Sequence, residues 1–124
     1  MAEVKVKKLD ELETRYGGAF KLVRHGLGVE SFGMQVIDMP PNVDAYPEHD
    51  HAEDGQEEVY TALDGQATLQ VDGTEHELVP GTFARVPAGV KRKIVTGAQP
   101  VRLLAIGGVP GKAYEIPELS LPET

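Results

Sequence analysis

The chain has 124 residues, a formal net charge of −8 and no cysteine. That length suits one domain, and an acidic surface disfavours nucleic acid, whose binding rewards basic ones. The missing thiols exclude disulfides, thiolate metal sites and a cysteine nucleophile. No apolar run is long enough to span a membrane, and the start MAEVKVKKLDELE has no apolar core like a signal peptide's. A cytoplasmic protein with no nucleic-acid or membrane partner is therefore expected.

In chain order, LDELETRYGG has a short helical flavour that stops at Gly17-Gly18. FKLVRHGLGV and FGMQVIDM alternate or carry β-branched residues and read as strands, the second broken by Pro40-Pro41-Asn42. The acidic stretch YPEHDHAEDGQE leads into the strand EVYTAL, with a turn expected at Leu63–Gly65. QATLQV and TEHEL flank Asp72-Gly73, a pair that supplies the positive φ of a tight hairpin. TFARV, KRKIV and VRLLAIGG complete the strands, and no useful helical period follows residue 20. Many short strands with regular turns predict an all-β sandwich or barrel.

The chemistry gathers between Tyr46 and Gly65. Side chains alternate across a strand, so His49 and His51 share a face while Asp50 points away. By the same rule Gln56, Glu58, Tyr60 and Ala62 share one face, and Glu57, Val59, Thr61 and Leu63 the other. Two imidazoles and a carboxylate facing each other inside a barrel suit a borderline divalent metal. An H-x-H pair alone fits a hydrated acidic loop equally well. Glu48, Asp50, Glu53, Asp54 and Glu57 read as a solvated rim. His25 is placed on an early strand in a surface role, and His76 on an exposed hairpin. Met34, Met39, Phe20, Phe32 and Phe83 read as core. No G-x-S-x-G, GxGxxG or Walker loop is present.

Two spacings carry a resemblance. His49-x-His51 is followed by Glu58, then six residues, then Gly65; Gly81-x5-Pro87-x-Gly89 comes later in the chain. In order, and around the Asp-Gly hairpin, these resemble the two motifs of the cupin superfamily, G-x5-H-x-H-x3–4-E-x6-G and G-x5-P-x-G-x2-H-x3-N. This chain departs from the pattern at four points. Val43 stands for the leading glycine. Six residues separate His51 from Glu58. Arg92 stands for the third histidine, and Thr96 for the final asparagine.

The resemblance implies a double-stranded β-helix, or jelly-roll barrel, over residues 20–110, with an N-terminal extension over 1–19 and a tail over 111–124. It implies a metal site at His49, His51 and Glu58 for zinc, iron, manganese or nickel, weak or absent because arginine cannot ligate. Arg92, Gln56, Tyr60 and Tyr46 become candidate contacts to a small anionic ligand, Tyr46 equally a packing residue. Arg92 either pairs with Glu58 or turns toward that ligand. The functions that follow are a metal-dependent oxygenase or isomerase, a metal-free binding or sensing module anchored by Arg92, or a structural barrel without catalysis. Many relatives form dimers by sharing edge strands, so a homodimer is expected.

Overall fold

The computed structural model describes residues 3–44 and 46–112. Among the described residues nine strands follow one another: β1 (Thr14–Arg15), β2 (Phe20–Lys21), β3 (Gly33–Met39), β4 (Glu57–Gly65), β5 (Ala67–Val71), β6 (Thr74–Leu78), β7 (Phe83–Val86), β8 (Lys93–Val95) and β9 (Val101–Gly108). They form a six-stranded antiparallel sheet, β1-β2-β3-β9-β4-β7, and a three-stranded one, β6-β5-β8. The fold is a jelly-roll barrel. Its core lies between the sheets, where Ile37, Met39, Tyr60, Leu103 and Ala105 of the larger meet Ala67, Leu69, Leu78 and Ile94 of the smaller. The predicted Asp72-Gly73 turn is present, with both residues at positive φ and Val71 paired to Thr74.

The structure corrects several expectations. FKLVRHGLGV is a strand only at Phe20–Lys21; Val23–Leu27 forms a short helix, α1. Leu22 enters it fully buried, and Gly28 in the left-handed conformation ends it by donating its N–H to the Arg24 carbonyl. His25 is therefore helical, not on a strand, and meets Glu13 at the surface, 3.4 Å away. The N-terminal helical flavour is confined to a 3-10 turn, Leu9–Glu11, and Thr14–Arg15 already joins the large sheet. Phe83 is not core. Its pairing with Thr61 sets it on the outer face of the sheet, 70% exposed, and Phe32 is exposed as well. Met39 and Phe20 do pack with the core. Among the described residues no helix is long and apolar enough to cross a membrane.

Leu63–Gly65 is not a separate turn either. β4 continues through it, with an irregularity between Ala62 and Asp64, and still pairs with β9 as far as Gly65–Val101. The bend into β5 is made by Gly65, whose φ of +77° suits glycine and whose missing Cβ would lie 2.0 Å from the Pro100 carbonyl oxygen.

Two predictions follow from this framework. Gly65→Ala meets both strain and a backbone clash, and is expected to destabilise by about 2–4 kcal/mol in urea unfolding. Asp38 ties β2, β3 and β9 together through Lys21 and Arg102, at 3.0 and 2.8 Å. The Arg102 hydrogen bond outweighs partial burial, and with Lys21 holds the carboxyl below its ordinary 3.8. That stabilisation is present above the ordinary value and is lost as pH falls through the depressed one. Asp38→Asn should lower Tm at pH 7, and the difference from the parent should shrink toward zero under strong acid.

Candidate functional site

β4 delivers the first half of the site. Its alternation buries Glu58, Tyr60 and Ala62 on the inner face, and Gln56, just before the strand, is buried too, as their spacing predicts. The H-x-H segment is laid against the chain that precedes β8. His49 and Arg92 exchange two backbone hydrogen bonds, 3.0 and 2.8 Å long, and the His51 N–H donates to the Ala88 carbonyl at 2.7 Å. Both imidazoles come to one side, with ring centres 5.3 Å apart and planes 79° apart. Asp50 turns away, its carboxylate accepting from the Ala52 N–H.

Everything converges on one oxygen, Glu58 Oε1. Arg92 Nη1 lies 2.7 Å from it, His51 Nε2 3.2 Å and His49 Nε2 3.9 Å. The Tyr60 hydroxyl donates to the same atom. Arg92 is 0% exposed, and three more of its hydrogen bonds stay within the protein: Nε to the Val90 carbonyl at 3.0 Å, Nη2 to the Pro87 carbonyl at 2.8 Å, and Nη1 to the Tyr60 oxygen at 3.3 Å. Of the two arrangements left open for Arg92, the structure has the pair with Glu58.

Each histidine is held from behind. His49 Nδ1 is 3.1 Å from the Pro47 carbonyl, and His51 Nδ1 lies 3.2 and 3.1 Å from the two Asp54 oxygens. Carbonyl and carboxylate oxygens only accept, so an acceptor behind Nδ1 favours the tautomer protonated there and would leave Nε2 as the ligand atom for a metal; without one, protonated His51 donates from Nε2 to Glu58. His51 Nε2 is buried, 3.2 Å from Glu58 Oε1. The three ligand atoms lie within 4.8 Å of one another. In chemistry and in aim, this set fits a divalent metal.

The electrostatics are those of a tight cluster. Burial opposes a charge on His51, but the Glu58 and Asp54 carboxylates outweigh it and raise its pKa. Burial likewise pushes the Glu58 carboxyl up, and the combined pull of His51, Tyr60 and Arg92 brings it below the usual range. The phenols of Tyr60 and Tyr46 are pushed up, chiefly by burial and then by the Glu58 charge.

The other candidates fall around this centre. Tyr46 stacks on Phe20 with ring centres 6.2 Å apart and leans on His49 at 5.8 Å, forming a wall beside the histidines. Gln56 lays its side chain across Gly107, where a Cβ would come within 2.8 Å of its Oε1. Asp54, expected on the solvated rim, instead orients His51 and also accepts from the Gln56 N–H at 3.1 Å. The usable signal was Asp54-Gly55, a turn pair three residues past His51: Gly55 sits at φ +74° and its N–H reaches the His51 carbonyl.

A cupin-domain family model matches residues 35–107, more than half of the sequence. The chain is a cupin. Among solved structures it is similar to a cupin protein from Bacteroides fragilis, 20% identical over 98% of this chain and 97% of that one, with a TM-score of 0.72. A structure described as a sugar phosphate isomerase from a cupin superfamily, from Silicibacter pomeroyi, is 22% identical over 83% and 74%, with a TM-score of 0.67. A Thermus thermophilus protein is 26% identical over 82% and 94%, with a TM-score of 0.63. No curated protein matches the chain.

Within this cupin, two departures from the family pattern touch each other. The Val43 N–H donates to Thr96 Oγ1 at 2.8 Å, the Thr96 N–H donates to the Val43 carbonyl at 3.0 Å, and the Thr96 hydroxyl donates to the Pro40 carbonyl at 2.6 Å. Threonine at 96 therefore pins the loop after β3.

The buried pair gives a direct test. Glu58→Leu alone strands a buried guanidinium and is expected to cost about 3–5 kcal/mol in urea unfolding. Glu58→Leu combined with Arg92→Met removes both charges and should recover most of that loss.

Proposed function

We propose that this cupin binds a small molecule at the histidine end of its barrel, beside a divalent metal held by His49, His51 and Glu58. The observation that supports it is the convergence of His49 Nε2, His51 Nε2 and a Glu58 oxygen within 4.8 Å of one another, each imidazole backed by an acceptor near Nδ1. When bound, zinc, iron, manganese or nickel would supply Lewis-acid or oxygen-binding chemistry, of the oxygenase or isomerase type. The chain's own residues do the rest. Pro47 and Asp54 hold the imidazoles, Arg92 and Tyr60 hold Glu58, and Tyr46 walls the approach. Arg92 weakens the metal: a guanidinium about 5 Å from a dication repels it by several kcal/mol at an effective dielectric near 20. The Silicibacter pomeroyi structure, described as a sugar phosphate isomerase, shows that a protein of this fold is ascribed small-molecule chemistry. A homodimer belongs to the same proposal, and sedimentation velocity measures it.

A second reading draws on the Arg92–Glu58 pair itself. In a metal-free module, a carboxylate or phosphate entering the barrel would compete with Glu58 for the guanidinium fork, making Arg92 the ligand's anchor.

The test is elemental analysis of untagged protein, with thermal melts in the presence and absence of each divalent metal. A specific metal at a hundred times its dissociation constant adds about 2.7 kcal/mol, a shift on the order of 10 °C for a domain of this size. The shift should vanish in His51→Ala and appear at lower metal concentration in Arg92→His. No shift in the parent or in Arg92→His retires the metal and leaves the anchor reading, which a melt screen of small carboxylates and phosphates then tests.

A further inference from the structure

The two ligand histidines are backed differently. His49 Nδ1 meets a neutral oxygen, the Pro47 carbonyl at 3.1 Å, and the His49 side chain is 30% exposed. His51 Nδ1 meets a carboxylate, with the Asp54 oxygens at 3.2 and 3.1 Å, and the His51 side chain is only 10% exposed. Asp54 is itself held in place. Its Oδ1 accepts from the Gln56 N–H at 3.1 Å, and Gly55, at φ +74°, donates its N–H to the His51 carbonyl at 2.8 Å. Carboxylate, imidazole and the approach to β4 are thus closed into one small loop. All of it is built within the six residues that separate His51 from Glu58.

The same ligand set carries Arg92, whose Nη1 lies 2.7 Å from Glu58 Oε1. The family pattern has an imidazole there, which can be neutral. Arginine brings a permanent positive charge, and a dication has to be held against it. A carboxylate hydrogen-bonded behind a metal-ligating imidazole acts in the opposite sense. It fixes the ring and its tautomer, makes Nε2 a more basic donor and places a negative charge near the ion. The lengthened spacing supplies such a carboxylate in the chain that also has the arginine.

We propose that Asp54 is a positioning residue whose charge offsets that of Arg92, so that the longer spacing and the arginine are two halves of one compensated change. Asp54 does not ligate the metal; it acts through His51. The proposal rests on the metal reading of the site, and zinc binding by the parent tests that reading separately.

The experiment titrates the full chain with zinc in competition with a chelating dye, at mildly alkaline pH where free imidazoles are neutral. Asp54→Asn keeps an oxygen that can accept from both His51 Nδ1 and the Gln56 N–H, and removes only the charge. Asp54→Ala removes the acceptor as well. Glu53→Gln removes the same charge from the exposed neighbouring position and is the control. Zinc affinity should fall about tenfold in Asp54→Asn and toward about a hundredfold in Asp54→Ala, and stay close to the parent's in Glu53→Gln. Arg92→His should bind zinc more tightly than the parent, and adding Asp54→Asn to it should bring the affinity back toward the parent's. In the zinc-loaded parent and in zinc-loaded Asp54→Asn, nitrogen NMR should show His51 protonated on Nδ1 and bound through Nε2, a signature that weakens in Asp54→Ala. The melt of zinc-free Asp54→Asn should match the parent's.

Parent-like affinity in Asp54→Asn, or an equal loss in Glu53→Gln, overturns the proposal and leaves the metal reading standing. A zinc-free Asp54→Asn melt several degrees below the parent's makes the carboxylate a brace for the loop and overturns it too. Zinc bound by Arg92→His but not by the parent means that Asp54 does not offset the arginine. No zinc on either overturns this proposal and the metal reading together.

Discussion

The barrel interior is organised by a buried ion pair. Arg92 and Glu58 come from segments 34 residues apart, and neither has access to bulk water that would make its charge cheap. Each therefore needs the other. The pair fixes the orientation of the carboxylate, the carboxylate fixes where the histidines aim, and the carbonyls of Pro87 and Val90 fix the guanidinium. Such pairs seldom add net stability over a well-packed apolar core, but they make wrong arrangements expensive. The arrangement enforced here is a carboxylate flanked by two imidazoles on one side and an arginine on the other. That places donor groups for a cation and a permanent cation in the same small volume.

The four departures from the family pattern become fewer when distances are measured. Val43 and Thr96 are one feature, joined by mutual hydrogen bonds that stitch the loop after β3 to the end of β8. The longer stretch between His51 and Glu58 is used rather than idle. It carries Asp54, which braces His51, and Gly55, which allows the turn that brings Asp54 back. Only Arg92 alters the character of the site. It puts a guanidinium 2.7 Å from the Glu58 carboxylate, while its main chain still bridges to His49.

Most of the frame was readable in the residues, because it rests on period-two alternation and turn chemistry. Gln56-x-Glu58-x-Tyr60-x-Ala62 faces inward as alternation requires, and Asp72-Gly73 makes its hairpin. What escaped was set by tertiary contact. Five helical residues, Val23–Leu27, are too few to show a period, and the helix forms where it packs against β3. Phe83 looks like core by composition, and only its register opposite Thr61 shows otherwise. Within the site, Asp54 is hard to tell from the other acids around it, and only the glycine that follows it marks the turn that brings it back to His51.

The bridge between His49 and residue 92 has a consequence for how this fold can change over time. The histidine strand is fastened to the main-chain N–H and carbonyl of residue 92, not to its side chain. Main-chain groups are the same for nearly every amino acid. Position 92 therefore behaves as a socket: the residue plugged into it can be exchanged, and with it the charge offered to Glu58, while the strand that carries the two imidazoles keeps its register. A barrel wired in this way can change the charge beside its inner carboxylate by a change at one position, without rebuilding the architecture around it.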